Sequence, residues 1–318
     1  MPKKKLAKIK FWKILFAFLV VFSMGCSTPS VAPVPLLEEE HGNVDAPQSM
    51  VNEGDQDLLE SDDTHDLLMI CQRAAADSLC SDSYFPPVEG MTLSYDLTSP
   101  LSGQQTQTRR IGPLEKGIQD PGGEPKDGYM VSFSGGPSSF ELMFECTQDG
   151  MIVNDQAVVA SLIDEMSSGD VEMVSSSYAG VTYPKLMLPG DRWQTTYSMI
   201  MKDGQSDEEI HFITRYQHHY VGVETVTTKA GTFEARRIDI EGVMDMGVYP
   251  KDTTGMPTDM LSDDGFFSIA SMPISISIWI ADCIGIVRSE STVECVAGCP
   301  QGAAEQTTYY ELSGFTLP

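Results

Sequence analysis

Between Ile274 and Ile280 every second residue is isoleucine: Ile274, Ile276, Ile278 and Ile280 alternate with Ser275, Ser277 and Trp279. Successive side chains of a strand point to opposite faces, so this run reads as a strand with one apolar face that must be covered. The same period runs through Met91–Leu97, where Met91, Leu93, Tyr95 and Leu97 alternate with Thr92, Ser94 and Asp96. It returns in Ser139–Cys146 through Phe140, Leu142, Phe144 and Cys146.

Turn residues join these runs at hairpin distances. Asp149-Gly150 leads into Met151–Asn154. Lys202-Asp-Gly-Gln205 separates Trp193–Met201 from Glu209–Val223, and Ala230-Gly231 separates Glu224–Thr228 from Thr232–Glu241. Tyr129–Ser134, Ile284–Glu290 and Thr307–Leu317 are further strands, and the polar run Gln104–Arg110 is expected at an edge or exposed. Gly112–Asp127 carries Pro, Gly and charges and is expected to be loop. Two short helices are expected: Asp66–Leu79 behind the N-cap Thr64, and Asp155–Met166 with Val158, Val159, Leu162 and Ile163 on one face. Residues 64–318 should therefore form a mainly β domain, a strongly curved antiparallel sheet or incomplete β-barrel with two short helices. Tyr84–Gly90 and Tyr183–Gly190 each place a Pro/Gly turn ahead of strand residues, which echoes a relation between two sheet halves.

Residues 1–25 read as a lipoprotein signal peptide. Lys3, Lys4, Lys5, Lys8, Lys10 and Lys13 precede the apolar run Ile14–Phe22, whose nine residues would make a helix of roughly 14 Å against a hydrocarbon core of ~30 Å. That length suits a signal and not a permanent span. Gly25-Cys26 resembles the lipobox of bacterial lipoproteins, in which the cysteine is acylated and becomes the first mature residue. Ser23 and Met24 depart from the commonest pattern. Ser27 replaces the aspartate familiar as an inner-membrane retention signal, which favours the outer membrane, facing the periplasm or the cell surface.

Loss of the leader takes the formal charge from −26 to −32, because it removes six lysines and no acids. Such a charge excludes nucleic acid as a partner and favours cations or basic surfaces. From Ser27 to Ile70 there are eleven acidic residues and no Lys or Arg. With Pro29, Pro33, Pro35 and Pro47, residues 26–63 read as an acidic disordered tether. Glu53–Asp63 lacks the Gly and closing Glu of a calcium loop, so no metal ligands are assigned.

Cys71, Cys80, Cys146, Cys283, Cys295 and Cys299 remain after Cys26 and are the disulfide candidates of an exported chain, with fifteen possible pairings. An unbroken helix would hold Cys71 and Cys80 ~13 Å apart, too far to bridge. Either that helix ends early or each pairs elsewhere; a local 295–299 bridge is also open.

No catalytic pattern stands out. A Gly-x-Ser-x-Gly elbow and a phosphate-binding Gly loop are both missing. On a strand, His211 and His219 share a face ~27 Å apart while His218 and His219 face opposite ways, so the three cannot share a metal. Neither a cofactor nor enzymatic activity is expected. Trp193, Tyr197, Phe233 and Trp279 could line a ligand cavity or belong to ordinary core.

Three segments together resemble a group of bacterial lipoproteins described as TapB-like. Tyr84-Phe-Pro-Pro-Val-Glu-Gly90 is similar to their "YFPL-x-x-G" opening, Glu224–Ile238 to a "VTVPAGTFEALRI" hairpin, and Trp279–Arg288 to "WYAPGVGLVR". Tyr310–Phe315 is similar to their closing strand. Cys283 departs from the third pattern, and Val243–Gly265 is an insertion-like loop. The resemblance implies a curved sheet, such as the incomplete barrel of LolA/LolB-type lipoproteins, with an apolar ligand or lipid on its concave face. The expected role is a membrane-anchored, non-catalytic binding or carrier protein for an apolar ligand. The alternative is an envelope protein–protein assembly factor; a hydrolase is less favoured.

Overall fold

The computed structural model describes residues 69–71, 73–74, 76–81, 84–85, 87–99, 103–119, 124–135, 139–154, 171–203, 209–249, 267–294 and 305–318. Cys26, the leader, the acidic stretch, Asp155–Met166, Cys295 and Cys299 lie outside the described residues.

The described strands are β1 (Thr92–Ser99), β2 (Gly103–Ile118), β3 (Lys126–Ser134), β4 (Phe140–Cys146), β5 (Gly150–Asn154), β6 (Val171–Ala179) and β7 (Tyr183–Pro184). Then follow β8 (Arg192–Asp203), β9 (Glu209–Thr228), β10 (Gly231–Val248), β11 (Phe267–Ala281), β12 (Gly285–Glu294) and β13 (Glu305–Thr316). All thirteen belong to one antiparallel sheet in the order β6-β8-β9-β10-β11-β12-β13-β1-β2-β3-β4-β5-β7. The mainly β expectation holds, and the sheet is open rather than closed by a ladder.

The pair of helices is not borne out. Before β1 the described chain is helical only at Met69–Cys71 and Arg73–Ala74, then turns through Ala76–Ser81. Other readings also need correction. β2 runs on through Gly112–Ile118, which was expected to be loop, because irregular pairing after Ile111 and Glu115 breaks the period without ending the strand. Nor is β2 an edge strand: it lies between β1 and β3, with Gln107 and Arg109 buried. β10 continues to Val248, into the stretch read as an inserted loop.

Strand alternation sends one face of every long strand into a shared interior. Leu93, Tyr95 and Leu97 of β1, Tyr129, Val131 and Phe133 of β3, and Ile274 and Ile278 of β11 are buried there. Tyr84 and Phe85 enter the same core ahead of β1. Tyr84 lies under the Arg236 guanidinium at 4.8 Å, and Phe85 packs 5.0 Å from the Tyr183 ring.

Bulges bend the sheet, among them one in each of β9, β12 and β13. Arg237 pairs with Gly222 and Ile238 with Tyr220, so Val221 is an extra residue in β9. Trp279 pairs with Arg288 and Ile280 with Ile286, which makes Val287 extra in β12. Ser313 is extra in β13. Because Arg237 also pairs with Trp279, the first two bulges fall on one line across β9–β12, where each sharpens the local twist. The tip of the β9–β10 hairpin consequently leans across the sheet: Lys229 ion-pairs with Asp96 of β1, and Arg288 of β12 donates to the Thr227 carbonyl at 3.0 Å.

Candidate functional site

Two groups of side chains fill the interior. The larger is aromatic and holds a buried cation. Arg109, 4% exposed, lies 4.4 Å from the Tyr95 ring centroid, 4.6 Å from Tyr310 and 4.9 Å from Phe133. Tyr95 and Tyr310 are stacked at 4.2 Å, and the Tyr310 hydroxyl donates to Gln107 Oε1 at 3.1 Å. Burial pushes both phenols above the ordinary tyrosine range, so they stay neutral and present ring faces to the guanidinium. The open space beside this group, bounded by Phe85, Tyr95, Arg109, Tyr129 and Phe144, is about 20 Å³. That is room for about one water molecule.

The second group is rich in methionine: Met199, Met201, Met244, Met246 and Met272 pack with Tyr197, Phe212 and Ile274. Unbranched thioether side chains fill irregular gaps and adapt readily, so this is the softer part of the core.

At the opening between the sheet edges, Trp193 stacks on His218 at 5.0 Å and donates from Nε1 to the Thr182 carbonyl. His218 Nε2 shares a 2.9 Å hydrogen bond with Thr195 Oγ1. Desolvation lowers the His218 pKa to about 4, so the ring is neutral at pH 7. His211 instead meets Tyr249 edge-on at 4.6 Å, and His219 lies on the opposite face of β9 from His218. The histidines do not converge.

The other face of the sheet carries a polar network around Trp279. Its Nε1 donates to Glu224 Oε2 at 2.8 Å while Arg237 lies 5.4 Å over the ring. Arg237 is fixed by Asp239 at 2.9 Å, and Ser277 donates to the same carboxylate at 2.7 Å. Beside the network two grooves share Gln217 and Glu241. One of about 610 Å³ includes Arg215, Asp245, Ser275 and Glu294; the other, of about 440 Å³, includes Arg192, His219 and Asp239.

The four aromatic residues considered for a cavity are therefore not one lining. Trp193 closes the gap between the edges, Tyr197 belongs to the methionine-rich group, and Trp279 is buried with the larger group but held by Glu224 beneath Arg237. Phe233 is half-buried near the β9–β10 tip, opposite Val226. Among the cysteines, Cys80 is bonded to Cys146, while Cys71 and Cys283 are buried thiols beside each other. Sequence reasoning missed Arg109; the signal was present, since Gln107, Arg109 and Ile111 keep the period of a strand. Among the described residues no group of three or more His, Cys, Asp or Glu could hold a metal ion.

No family model matches the chain, and no curated protein matches it. Among solved structures, a Bacteroides fragilis protein assigned as exported, with a YmcC-like fold, aligns at 17% identity and TM-score 0.42 over 73% of this chain and 98% of its own. A Parabacteroides distasonis protein assigned as a lipoprotein aligns at 13% identity and TM-score 0.42, covering 74% of this chain and 98% of its own. The hypothetical lipoprotein YmcC of Escherichia coli aligns at 8% identity and TM-score 0.26, covering 81% and 97%. At such identities and scores, none of the three assigns a role to this chain. None of them supports the TapB-like or LolA/LolB-type resemblance beyond that of a bacterial lipoprotein.

Proposed function

We propose that this chain is a lipid-anchored bacterial envelope protein, held at the outer membrane by Cys26, that docks non-catalytically onto another envelope protein. The observation that supports docking over cargo is the distribution of space. The space beside Arg109 in the aromatic interior is about 20 Å³, while the open groove on the polar face is about 610 Å³. On this strongly acidic chain, Glu241 and Glu294 in that groove, where Asp245 is paired with Arg215, suit a basic segment of the partner. Cross-linking in intact cells tests this. A reproducible partner captured by the wild type and lost with Glu241→Lys/Glu294→Lys supports docking; equal capture by both counts against it.

A second reading, a carrier of an apolar ligand, draws support from the methionine-rich group, whose side chains could repack around a guest. Native mass spectrometry of protein from the envelope separates the two. A co-purified hydrophobe favours the carrier, and a bare protein mass favours docking.

A further inference from the structure

We propose that Cys71 and Cys283 form a second cystine in the mature protein, fastening the segment that leads from the membrane anchor onto the β11–β12 turn. The inference rests on the exported location proposed above. The two residues are far apart in sequence and adjacent in space. The Cys71 thiol donates to the Cys283 carbonyl oxygen at 3.6 Å, which sets the two cysteines against one another. They are 2% and 8% exposed. Cys283 occupies the turn between β11 and β12 with φ of 69°, a left-handed conformation that non-glycine residues seldom adopt.

The neighbouring contacts give the bond a mechanical meaning. Nine residues after Cys71, Cys80 is already joined to Cys146 of β4. A Cys71–Cys283 bond would pin the other end of the same short segment to the far part of the sheet. The segment would then be strapped at both ends where Tyr84 and Phe85 plug the interior. Arg236 ion-pairs with Asp282, next to Cys283, so the turn that receives the strap is itself held to β10.

The chemistry is thiol–disulfide exchange with a donor cystine, either that of a dithiol-oxidising protein or oxidised glutathione. Cys283 thiolate attacks one donor sulfur, forming a mixed disulfide and releasing the first donor thiol. Cys71, after giving its proton to solvent, attacks the Cys283 sulfur and releases the second. Two protein thiols are oxidised and one donor disulfide is reduced. Burial of both sulfurs places the exchange during folding, before the segment seats.

The test is peptide mapping of the full mature chain, purified from the envelope without reductant and alkylated in denaturant. The expected products are one peptide pair linked through Cys71–Cys283 and another through Cys80–Cys146. Alkylated Cys71 or Cys283, or linkage of either to Cys295 or Cys299, overturns the inference. If the Cys80–Cys146 pair and a lipid on Cys26 are nonetheless present, the envelope reading stands and only this inference falls. If Cys26 is unmodified and both cystines are missing, both fall. The variant Cys71→Ala/Cys283→Ala should melt roughly 5–10 °C below the oxidised wild type. An unchanged Tm would remove the strapping role.

Discussion

The indole Nε1 of Trp193 donates to the main-chain carbonyl of Thr182 at 3.3 Å, which ties β8 to the residue just before β7, the strand at the opposite edge of the sheet. Thr182 makes two more such bonds. Its Oγ1 accepts from the Val153 amide of β5 at 3.0 Å and pairs with the Tyr178 hydroxyl of β6 at 2.8 Å. The edge strands β6 and β7 are consecutive in the chain, so residues 180–182 span the gap that no ladder closes. Gly180 makes this passage possible: at φ of 99° a Cβ would lie 2.5 Å from the Gln194 carbonyl oxygen.

Thr182→Ala should therefore destabilise the protein by about 1–2 kcal/mol, the usual result of leaving an amide without its acceptor. Gly180→Ala should cost more, since left-handed backbone and carbonyl contact act together. Urea unfolding followed by tryptophan fluorescence measures both. A stability within 0.5 kcal/mol or so of the wild type for Thr182→Ala would mean that the gap is held by other contacts.

Acid should weaken the same region through His218. Its folded pKa of about 4 lies below the ordinary 6.5, so the unfolded chain binds the proton more readily. The contribution is fully present above pH 6.5 and is lost progressively as pH falls toward 4, reaching about 3 kcal/mol in total. His218→Gln can keep a hydrogen bond to Thr195 without a titrating ring. Its unfolding free energy should fall less between pH 7 and pH 4 than that of the wild type. Parallel pH profiles would assign the acid sensitivity to other groups.

Arg109 presents a contest between charge and volume. Three ring faces attract the guanidinium at about 2 kcal/mol for a desolvated contact, but taking the cation out of water costs several kcal/mol and offsets much of this, while emptying the volume of a large buried side chain costs about 2–5 kcal/mol. Volume should dominate. Arg109→Met, which keeps most of the stem, should remain within about 1.5 kcal/mol of the wild type, and Arg109→Ala should lose about 3 kcal/mol or more. Guanidinium denaturation, with m compared between variants, checks this. Equal losses for Met and Ala would make the charge the larger contributor.

The uneven legibility of the sequence has a physical basis. β1, β4, β8 and β11 each keep a strict period of two with one apolar face, and their presence can be read from the residues. β9 reads as two strands because Val221 is unpaired and no residue from Val221 to Thr225 is buried, which interrupts the apolar face. The same kind of bulge at Val287 shifts the register of β12 against β11 just after Trp279. β6 offers little to read: Ser175, Ser176 and Ser177 lie at a sheet edge where no apolar face is required. Arg109 was hidden because a cation among polar neighbours reads as surface. Only the pairing of β2 with β1 and β3, and of β1 with β13, brings Tyr95, Phe133 and Tyr310 around it.

Asp127 shows how a single buried carboxylate organises the segment before β1. Its Oδ2 accepts from the Leu79 amide at 2.7 Å and its Oδ1 from the Gly117 amide at 2.9 Å, while Lys116 Nζ donates to the Ala76 carbonyl at 3.1 Å. Both Asp127 oxygens act as acceptors, which an ionised carboxylate provides and an amide does not. Asp127→Asn replaces one acceptor with an NH2 donor facing a backbone N–H, so one charge-assisted bond becomes a donor–donor clash. The expected cost is about 2–3 kcal/mol. Hydrogen exchange should locate it, with the amides of Leu79 and Gly117 losing protection before those of central β10. Uniform loss of protection across the sheet would show instead that Asp127 supports the whole fold rather than this docked segment.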